Sequence, residues 1–289
     1  MKALPSSLLW FAPTVFGAHA LAYAVVQLLP DPINAVLGLQ SGSNEARRAL
    51  LEAQPVRTYV HTLTDLLRGH LGTTRDGVPV GQELARALSA SAPRLAAAVA
   101  LISAAVLVIA FLPRRRLAGA HAMTAALTFL PPFLAPFLML WLYIESQAAA
   151  GTAADRLSWW LCTFSAALPA MAFASMQAAL IMGRNLELPF ARTIKAAGAT
   201  ESRIRVRLTH HLIGEMAPTL EKLGIGLFTA LLFAEPAFGE DGLGSLTLRA
   251  VRRSDLDLIV ALVAAMAAAI ALLRVVSAAT RSSYGVQTL

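Results

Sequence analysis

Charged residues are scarce in this 289-residue chain: they make up 14% of it, whereas hydrophobic residues make up 57%. A soluble globular domain has about 25% charged and about 45–50% apolar residues. The mean hydropathy is +0.62. This balance argues against a soluble or disordered protein. It indicates a polytopic membrane protein whose apolar segments leave little chain for an independent soluble domain.

Groups for catalysis or metal binding are also scarce. The chain has one cysteine, Cys162, which excludes an intrachain disulfide and a metal cluster of several cysteines. The sequence has no G-x-x-x-x-G-K-[ST] loop for nucleotide phosphates and no H-E-x-x-H motif. His210 and His211 are adjacent, so they face different sides of a helix and do not form an i, i+4 metal pair. We therefore predict that the chain is not an enzyme and binds no metal or cofactor itself.

Six apolar runs have about the 17–25 residues that a membrane-spanning helix needs. Within a bilayer, only helices and closed barrels satisfy every backbone N–H and C=O group. Barrels need short alternating segments, whereas these runs are long and rich in Ala and Leu. We therefore predict an all-α membrane helix bundle that forms a single transmembrane domain over residues 1–289. The predicted spans lie near residues 8–29, 95–112, 120–144, 158–182, 217–234 and 258–279.

The first apolar run has features of a secretory signal, because Lys2 precedes it and an A-x-A pattern occurs at residues 18–20. Its apolar stretch nevertheless continues to Leu29. The apolar core of a signal peptide has only about 7–15 residues. We therefore predict that this run is a retained membrane helix.

Basic loops indicate the orientation of the chain in the membrane. The loop at residues 113–119 carries an R-R-R run without an acid, and the loop at residues 185–216 is also rich in arginine. The positive-inside rule places both loops in the cytoplasm, and with six spans both chain termini then lie there too. Residues 31–93 fall outside despite their arginines, because the rule loses weight for a loop of this length. The net charge of +7 and the pI near 10.3 then reflect cytoplasmic loops, so we predict no nucleic-acid partner.

Residues 185–216 have the pattern of two short helices joined by glycine. Residues 186–197 predict the first helix, and Gly198 suits a left-handed helix end. Thr200 suits the cap of a second helix that begins at Glu201. The apolar face of the first helix consists of Leu188, Ala191, Ile194 and Ala197. Such a projection with a small-residue tip fits a groove in another protein; the alternative is a basic helix that lies on anionic lipid.

Two segments on the predicted outer side also have informative patterns. Residues 235–244 are rich in glycine, so we predict a re-entrant or capping loop there, followed by a short helix at residues 245–253. The alternative is a simple exposed turn. Apolar residues recur at helical spacing within the 31–93 loop and predict a short amphipathic helix across the outer mouth. These residues are Val60, Leu63, Leu66 and Leu67.

Three motifs point to a known family. They are P-F-A-R-T-I-K-A-A-G-A-T-E-S-R at residues 189–203, L-L-R-G-H-L-G at residues 66–72, and E-P-A-F-G-E-D-G-L-G at residues 235–244. They resemble signatures of binding-protein-dependent ABC transporter permeases, in the dipeptide, oligopeptide and nickel branch. The signatures are roughly Y-V-R-T-A-R-A-K-G-x-x-E-x-x, L-L-x-G-D-L-G and E-x-x-F-x-x-P-G-L-G. His70 and Asp241 replace the family's aspartate and proline, and lysine and alanine are exchanged at Lys195 and Ala197.

The resemblance implies the six-helix permease subunit of an ATP-driven importer, with the type I ABC importer permease fold. Such a subunit forms half of the pathway for peptides or related small solutes across the bacterial inner membrane. The implied partners are membrane lipid, a second homologous permease, one or two cytoplasmic ATPases that hold ATP and Mg, and an extracytoplasmic solute-binding protein. The solute stays open, because nickel chelates and peptide-like antibiotics use similar permeases.

The resemblance implies an ATPase-coupling site, and the glycine-rich segment on the outer side predicts a second site. The ATPase-coupling site comprises Arg192, Thr193, Lys195, Ala196, Ala197, Gly198 and Glu201. The outer gate and binding-protein docking site comprises Glu235, Phe238, Gly242, Gly244, Arg252 and Arg253. The arginines of the outer site would meet either acidic groups of the binding protein or the carboxyl end of a peptide.

An ion-gradient-driven secondary transporter is the alternative function. That class usually has ionisable residues and paired broken helices near the middle of the membrane. The apolar runs of this chain are almost free of carboxylates. An intramembrane enzyme would need catalytic pairs within the spans, and the runs contain no such pair. Both alternatives are therefore disfavoured.

Overall fold

The computed structural model describes residues 9–28, 59–150, 154–253 and 255–284. Within these ranges the regular structure is helical, apart from one antiparallel bridge between Thr73 and Pro79. The helices in chain order are α1 (Phe11–Leu28), α2 (Tyr59–Leu67), α3 (Val80–Phe111), α4 (Arg114–Thr128), α5 (Leu134–Ala150), α6 (Ala154–Asn185), α7 (Pro189–Ala196), α8 (Glu201–Met216), α9 (Leu220–Phe238), α10 (Leu243–Arg252) and α11 (Leu256–Ser283). Both ends of the first predicted span, at residues 8 and 29, and residues 31–58 of the predicted outer loop lie outside the described residues.

Four helical stretches are long and apolar enough to cross a bilayer. They are Val80–Phe111, Leu157–Asn185, Glu201–Phe238 and Leu256–Ser283. Together with the helical content of the described residues, they confirm the predicted all-α polytopic membrane bundle. The number of spans and their boundaries stay predictions.

The range predicted as the third span, residues 120–144, contains two helices where one was expected. Helix α4 ends at Thr128, and α5 begins at Leu134. Pro131 and Pro132 lie between them; a proline has no backbone N–H, and its ring disfavours a helical conformation of the preceding residue. The two prolines therefore interrupt the backbone hydrogen bonds of a single helix.

Helix α6 is the central element of the described structure. In its apolar window 56% of the residues are buried, against 28% in α3 and 39% in α11. It contacts α3, α4, α5, α8 and α9. Its buried small residues include Ala166, Ala167, Ala170, Ala174, Ala178 and Ala179. Small side chains let helices approach closely in lipid, where no hydrophobic drive brings them together.

Three apolar clusters hold the two candidate sites in place. The largest joins α3, α4, α6, α7, α8 and α9 and supports the 185–216 segment. The second joins the start of α3 to α10 and α11. The third joins α6 to α9, and Phe238 packs against it. The last two clusters therefore support the 235–253 segment.

Helix α8 continues almost without interruption into α9. A 3-10 turn, Ala217–Thr219, joins the two helices. Pro218 lies at the start of that turn, where a missing N–H removes no intrahelical bond. We call residues 201–238 the α8–α9 rod. It directly connects the predicted coupling segment with the predicted outer site.

Candidate coupling segment and outer gate

The first helix of the coupling segment is shorter than predicted. Helix α7 begins at Pro189 instead of residue 186, because Leu188 is extended, with ψ 145°, and a proline disfavours a helical residue before it. The predicted left-handed helix end is confirmed, since Gly198 has φ +82°. Thr200 occupies the predicted cap position of α8, but its side chain makes no capping hydrogen bond.

Two backbone hydrogen bonds close the end of α7 around Gly198. The Ala199 N–H donates to the Ile194 carbonyl at 3.2 Å, and the Gly198 N–H donates to the Lys195 carbonyl at 3.1 Å. This is the Schellman pattern, in which a left-handed residue satisfies the last carbonyls of a helix. Within the described part of the chain, a Cβ on Gly198 would meet no heavy atom within 4 Å. The backbone conformation, and not crowding, therefore favours glycine here.

The predicted coupling residues lie together on an exposed surface. All seven are exposed: Arg192, Thr193, Lys195, Ala196, Ala197, Gly198 and Glu201. Beneath them Ala191 is buried, and Ile194 and Ala199 pack against the largest apolar cluster. We call residues 189–198 the coupling tip. It presents a small-residue surface with flanking cations, and its underside is fixed to the core.

Glu201 differs from the other predicted coupling residues, because its side chain is bound within the chain. The Arg205 guanidinium donates to Glu201 Oε1 at 2.7 Å and to the Ala110 carbonyl at 3.1 Å. Arg205 is only 4% exposed. Ala110 lies in the last turn of α3, where carbonyls have no partner within the helix. Arg205 therefore fastens α8 to the end of α3.

The sequence does not reveal this role, because Arg205 is one of several arginines in the loop at residues 185–216. The i, i+4 spacing from Glu201 to Arg205 is the one signal that the sequence contains for the pair. This spacing does not indicate the contact with Ala110, because Arg205 and Ala110 are separated by 95 positions in the sequence.

Glu235 is fully buried in the last turn of α9, at the other end of the rod. Its Oε1 accepts a hydrogen bond from Ser91 Oγ at 2.6 Å, and its Oε2 accepts one from the Gly244 N–H at 2.7 Å. An Arg94 nitrogen lies 3.3 Å from Oε1. A buried carboxylate requires such partners, because removal of an ion from water is costly unless it is paired and hydrogen-bonded.

Arg94 connects Glu235 to the loop that precedes α10. Arg94 is 3% exposed, and it donates to Glu240 Oε2 at 2.7 Å and to the Asp241 carbonyl. Ser158 Oγ of α6 donates to Glu240 Oε1 at 3.2 Å. One network of charged hydrogen bonds thus joins α3, α6 and α9 to this loop. We call Ser91, Arg94, Glu235 and Glu240 the outer clamp.

Only Glu235 of the outer clamp was predicted as a site residue. Arg94 directly precedes the second predicted span, which was expected to begin at residue 95. The structure extends α3 back to Val80, so Arg94 lies inside a helix. An ionisable residue within an apolar helix is a signal for a functional or paired group.

Gly242 and Gly244 lie where a larger residue does not fit. A Cβ on Gly242 would overlap the Glu235 carboxylate. A Cβ on Gly244 would overlap the Leu231 carbonyl of α9. Glycine at both positions therefore allows the loop to pack directly on the end of α9, and this close approach brings the Gly244 N–H to Glu235.

The irregular loop is shorter than predicted. The expected loop began at Glu235, but α9 continues through Pro236 to its last residue, Phe238, and the left-handed Gly239, with φ +68°, caps it. A proline removes only one hydrogen bond from the helix, whereas a left-handed glycine reverses the chain and ends it. The Phe238 ring lies edge-on to Tyr143, with centroids 6.1 Å apart.

Arg252 and Arg253 do not join the outer clamp. They lie at the end of α10 and line a separate cavity of about 280 Å³ together with Pro236, Ser245, Leu248 and Arg249. Arg253 forms an ion pair with Asp76, and Arg249 lies 3.6 Å from Glu83. No carboxylate of the described residues forms an ion pair with Arg252. We call Arg249, Arg252 and Arg253 the arginine surface.

The segment before α3 is attached to the same side of the molecule. Helix α2 covers the residues around Val60 for which an amphipathic helix was predicted. Further along, the Asp255 carboxylate accepts a hydrogen bond from the Arg75 N–H at 2.9 Å, and it caps α11 through the Leu258 N–H at 3.3 Å. This contact fixes the segment against the start of α11.

Comparison with known proteins finds relatives among transport permeases. No family model matches the chain. The chain is similar to the oligopeptide transport system permease protein OppB of Mycobacterium bovis and of two strains of Mycobacterium tuberculosis. In each case 28% of 268 aligned residues are identical, and the alignment covers 83% of this chain and 80% of the relative.

These relatives confirm the resemblance that the sequence motifs indicate. Together with the four apolar helical stretches, this similarity supports a multi-pass membrane protein that resembles ABC transporter permeases. The comparison lends no support to a secondary transporter.

Proposed function

We propose that this chain forms half of the translocation pathway of an ATP-driven importer for peptides or related small solutes. The observation that carries this proposal is the exposed coupling tip on a rigid base. A docking knob for another protein needs a fixed shape and an accessible surface, and the tip has both. The similarity to proteins named for oligopeptide transport supports the solute class. The unit is a single transmembrane domain over residues 1–289 with six spans.

The energy for transport comes from partner subunits in this proposal. The sequence has no phosphate-binding loop of the Walker type, so ATP and Mg are held by one or two cytoplasmic ATPases, and the chain itself is not an enzyme. A second homologous permease completes the pathway. An extracytoplasmic solute-binding protein delivers the solute, and membrane lipid surrounds the helices.

The outer clamp and the residues around it serve as the outer gate. Glu235, Gly242 and Gly244 hold the 239–242 loop on the end of α9, and Phe238 packs beneath it. Arg252 and Arg253 form the docking surface for acidic groups of the binding protein. Their exposure supports this role, because exposed charges favour orientation and fast encounter more than affinity.

The proposed location is the bacterial inner membrane, with both termini and the coupling tip in the cytoplasm. Cysteine labelling tests this orientation cleanly, because the one native cysteine, Cys162, is fully buried. We expect an impermeant maleimide to label Arg75→Cys in intact spheroplasts and Arg115→Cys only after the inner membrane is broken. Both positions are exposed. The reverse pattern would invert the proposed topology.

The docking role of the coupling tip is tested at Gly198. Gly198→Val forces a β-branched residue into the left-handed region, at a cost of about 1–3 kcal/mol. We expect it to reduce peptide uptake by about tenfold or more, since 1.4 kcal/mol corresponds to a factor of ten. It should also reduce co-purification of the ATPase.

Two control variants sharpen this experiment. Gly198→Asn keeps the left-handed conformation accessible, so it should retain activity if conformation alone matters. Gly119→Val adds the same side chain to an exposed position of α4, where a Cβ meets no atom within 4 Å of the described structure. Normal uptake and normal ATPase co-purification in Gly198→Val would refute the docking role of the tip.

A further inference from the structure

Helix α3 and the α8–α9 rod are fastened to each other at two levels. At the inner level, Arg205 of the rod donates to the Ala110 carbonyl at the end of α3. At the outer level, Arg94 and Ser91 of α3 bind Glu235 of the rod. The two levels are separated by sixteen residues of α3, or about 24 Å at the rise of an α-helix.

Helix α8 contacts α3 directly, whereas the central helix α6 lies between α3 and α9. Helix α6 packs against α3 and against α9, whereas α3 and α9 make few direct contacts along their lengths. The two buried arginines therefore connect α3 to the α8–α9 rod on both sides of the region where α6 packs between α3 and α9. Both links are shielded from water, since Arg94 is 3% and Arg205 is 4% exposed. Hydrogen bonds in such surroundings are stronger than in water, and loss of one partner leaves a buried group unsatisfied.

We infer that Arg205 is a positioning residue for coupling, which makes α3 and the α8–α9 rod move as one rigid unit between the coupling tip and the outer gate. The tip precedes the rod directly in the chain, so a force on the tip acts on α8. Through Arg205 the same force acts on α3, and α3 carries Ser91 and Arg94 at the gate. This inference rests on the proposed docking of an ATPase on the tip.

An exposed ion pair between α6 and α8 provides a control. Arg184 of α6 lies 2.5 Å from Glu215 of α8, so it also connects α8 to a neighbouring helix. Its side chain is 68% exposed, whereas that of Arg205 is 4% exposed. Exposed pairs contribute little, because water screens them. Arg184→Ala therefore removes an arginine that connects α8 to a neighbouring helix at the surface, and it leaves the buried link of Arg205 in place.

The first experiment measures rigidity in the complete transporter and needs no variant of Arg205. Spin labels are placed at Phe111 on α3 and Val206 on α8, which are both about half exposed. The distance between them is measured without nucleotide and after trapping with ATP and vanadate. A rigid unit keeps the same distance in both states. A change as large as one helical turn, about 5 Å, overturns the inference.

The second experiment measures coupling in proteoliposomes that contain both permeases, the ATPases and the binding protein. In Arg205→Ala we expect the stimulation of ATP hydrolysis by the binding protein to fall between about 5-fold and 150-fold, the usual range of coupling between sites. The label distance should then differ between the two states. Arg205→Lys, which retains a donor for the Ala110 carbonyl, should recover most of the stimulation, and Arg184→Ala should match the parent.

The outcomes separate this inference from the proposed function. Unchanged stimulation in an assembled Arg205→Ala transporter overturns the inference and leaves the docking of the ATPase intact. If the Arg205→Ala transporter does not assemble, the inference is tested by the label distance in the parent chain and by the stimulation of ATP hydrolysis in Arg205→Lys. Failure of the ATPase to co-purify with the parent chain would instead contradict the proposed function.

Discussion

The coupling tip and the outer clamp use the same kinds of residue in opposite surroundings. The cations of the tip, Arg192 and Lys195, are exposed and have no ion-pair partner among the described residues. The arginine of the clamp, Arg94, is buried against Glu235 and Glu240. A solvated charge remains available for a partner protein, whereas a buried charge is already committed to its neighbours. Burial therefore decides which charged residues can bind a partner protein and which ones stabilise the fold.

The glycines of the two regions differ in a parallel way. Gly198 is required by its backbone angle and has open space around it, whereas Gly244 is required because α9 passes too close for a side chain. A residue that tolerates the left-handed region can replace the first glycine but not the second. Glycine is thus needed for its left-handed backbone conformation at the tip and for close helix packing at the gate.

The largest expected effect comes from removal of the buried arginine. Arg94→Ala leaves Glu235 buried without its cation, which costs about 3–5 kcal/mol when one partner of a buried pair is removed. Arg192→Ala at the tip should leave stability nearly unchanged, because exposed substitutions have small effects. The measurement is the monodisperse fraction of detergent-solubilised protein after heating, by size-exclusion chromatography. Equal thermal stability of the two variants would contradict the view that the buried arginine stabilises the fold and the exposed one does not.

A smaller effect is expected from a methyl group at the packed glycine. Gly244→Ala would press on the Leu231 carbonyl, and overpacking of this kind costs about 1–3 kcal/mol. Gly226→Ala adds the same methyl group to α9 where no described heavy atom lies within 4 Å, so it should be neutral or stabilising. Peptide uptake and thermal stability should both fall in the first variant only. If Gly244→Ala behaves like Gly226→Ala, close packing does not explain the glycine.

Substitutions at the arginine surface should have the smallest effect on stability. They should nevertheless weaken recognition of the binding protein. Reversal of the exposed charges in Arg252→Glu with Arg253→Glu should slow encounter with the binding protein by about tenfold at low salt. The difference should shrink as salt is added, since screening weakens interactions between exposed charges. Binding-protein-stimulated ATP hydrolysis as a function of salt measures this. Arg115→Glu, on the predicted cytoplasmic side, is the control, and identical salt curves for both variants would exclude a docking role.

Local patterns in the sequence predicted several features correctly. The helical character, the left-handed position of Gly198 and the short helix before residue 68 all follow from residues within a few positions of each other. The errors also have local causes. A proline shifts the start of α7 to residue 189, and two prolines divide the 120–144 range into α4 and α5.

The sequence by itself determined the helical, membrane-spanning character of this protein and the left-handed turn at Gly198, because apolar runs and a glycine between two helices act through residues that are close along the chain. Only the tertiary structure decided which charged residues are buried. Ser91 and Glu235 are 144 positions apart, and Arg205 and Ala110 are 95 positions apart. Whether an arginine is solvated at the surface or bound inside the bundle depends on how distant helices pack around it. No local pattern contains that information, so the outer clamp and the Arg205 link emerged only from the packed structure.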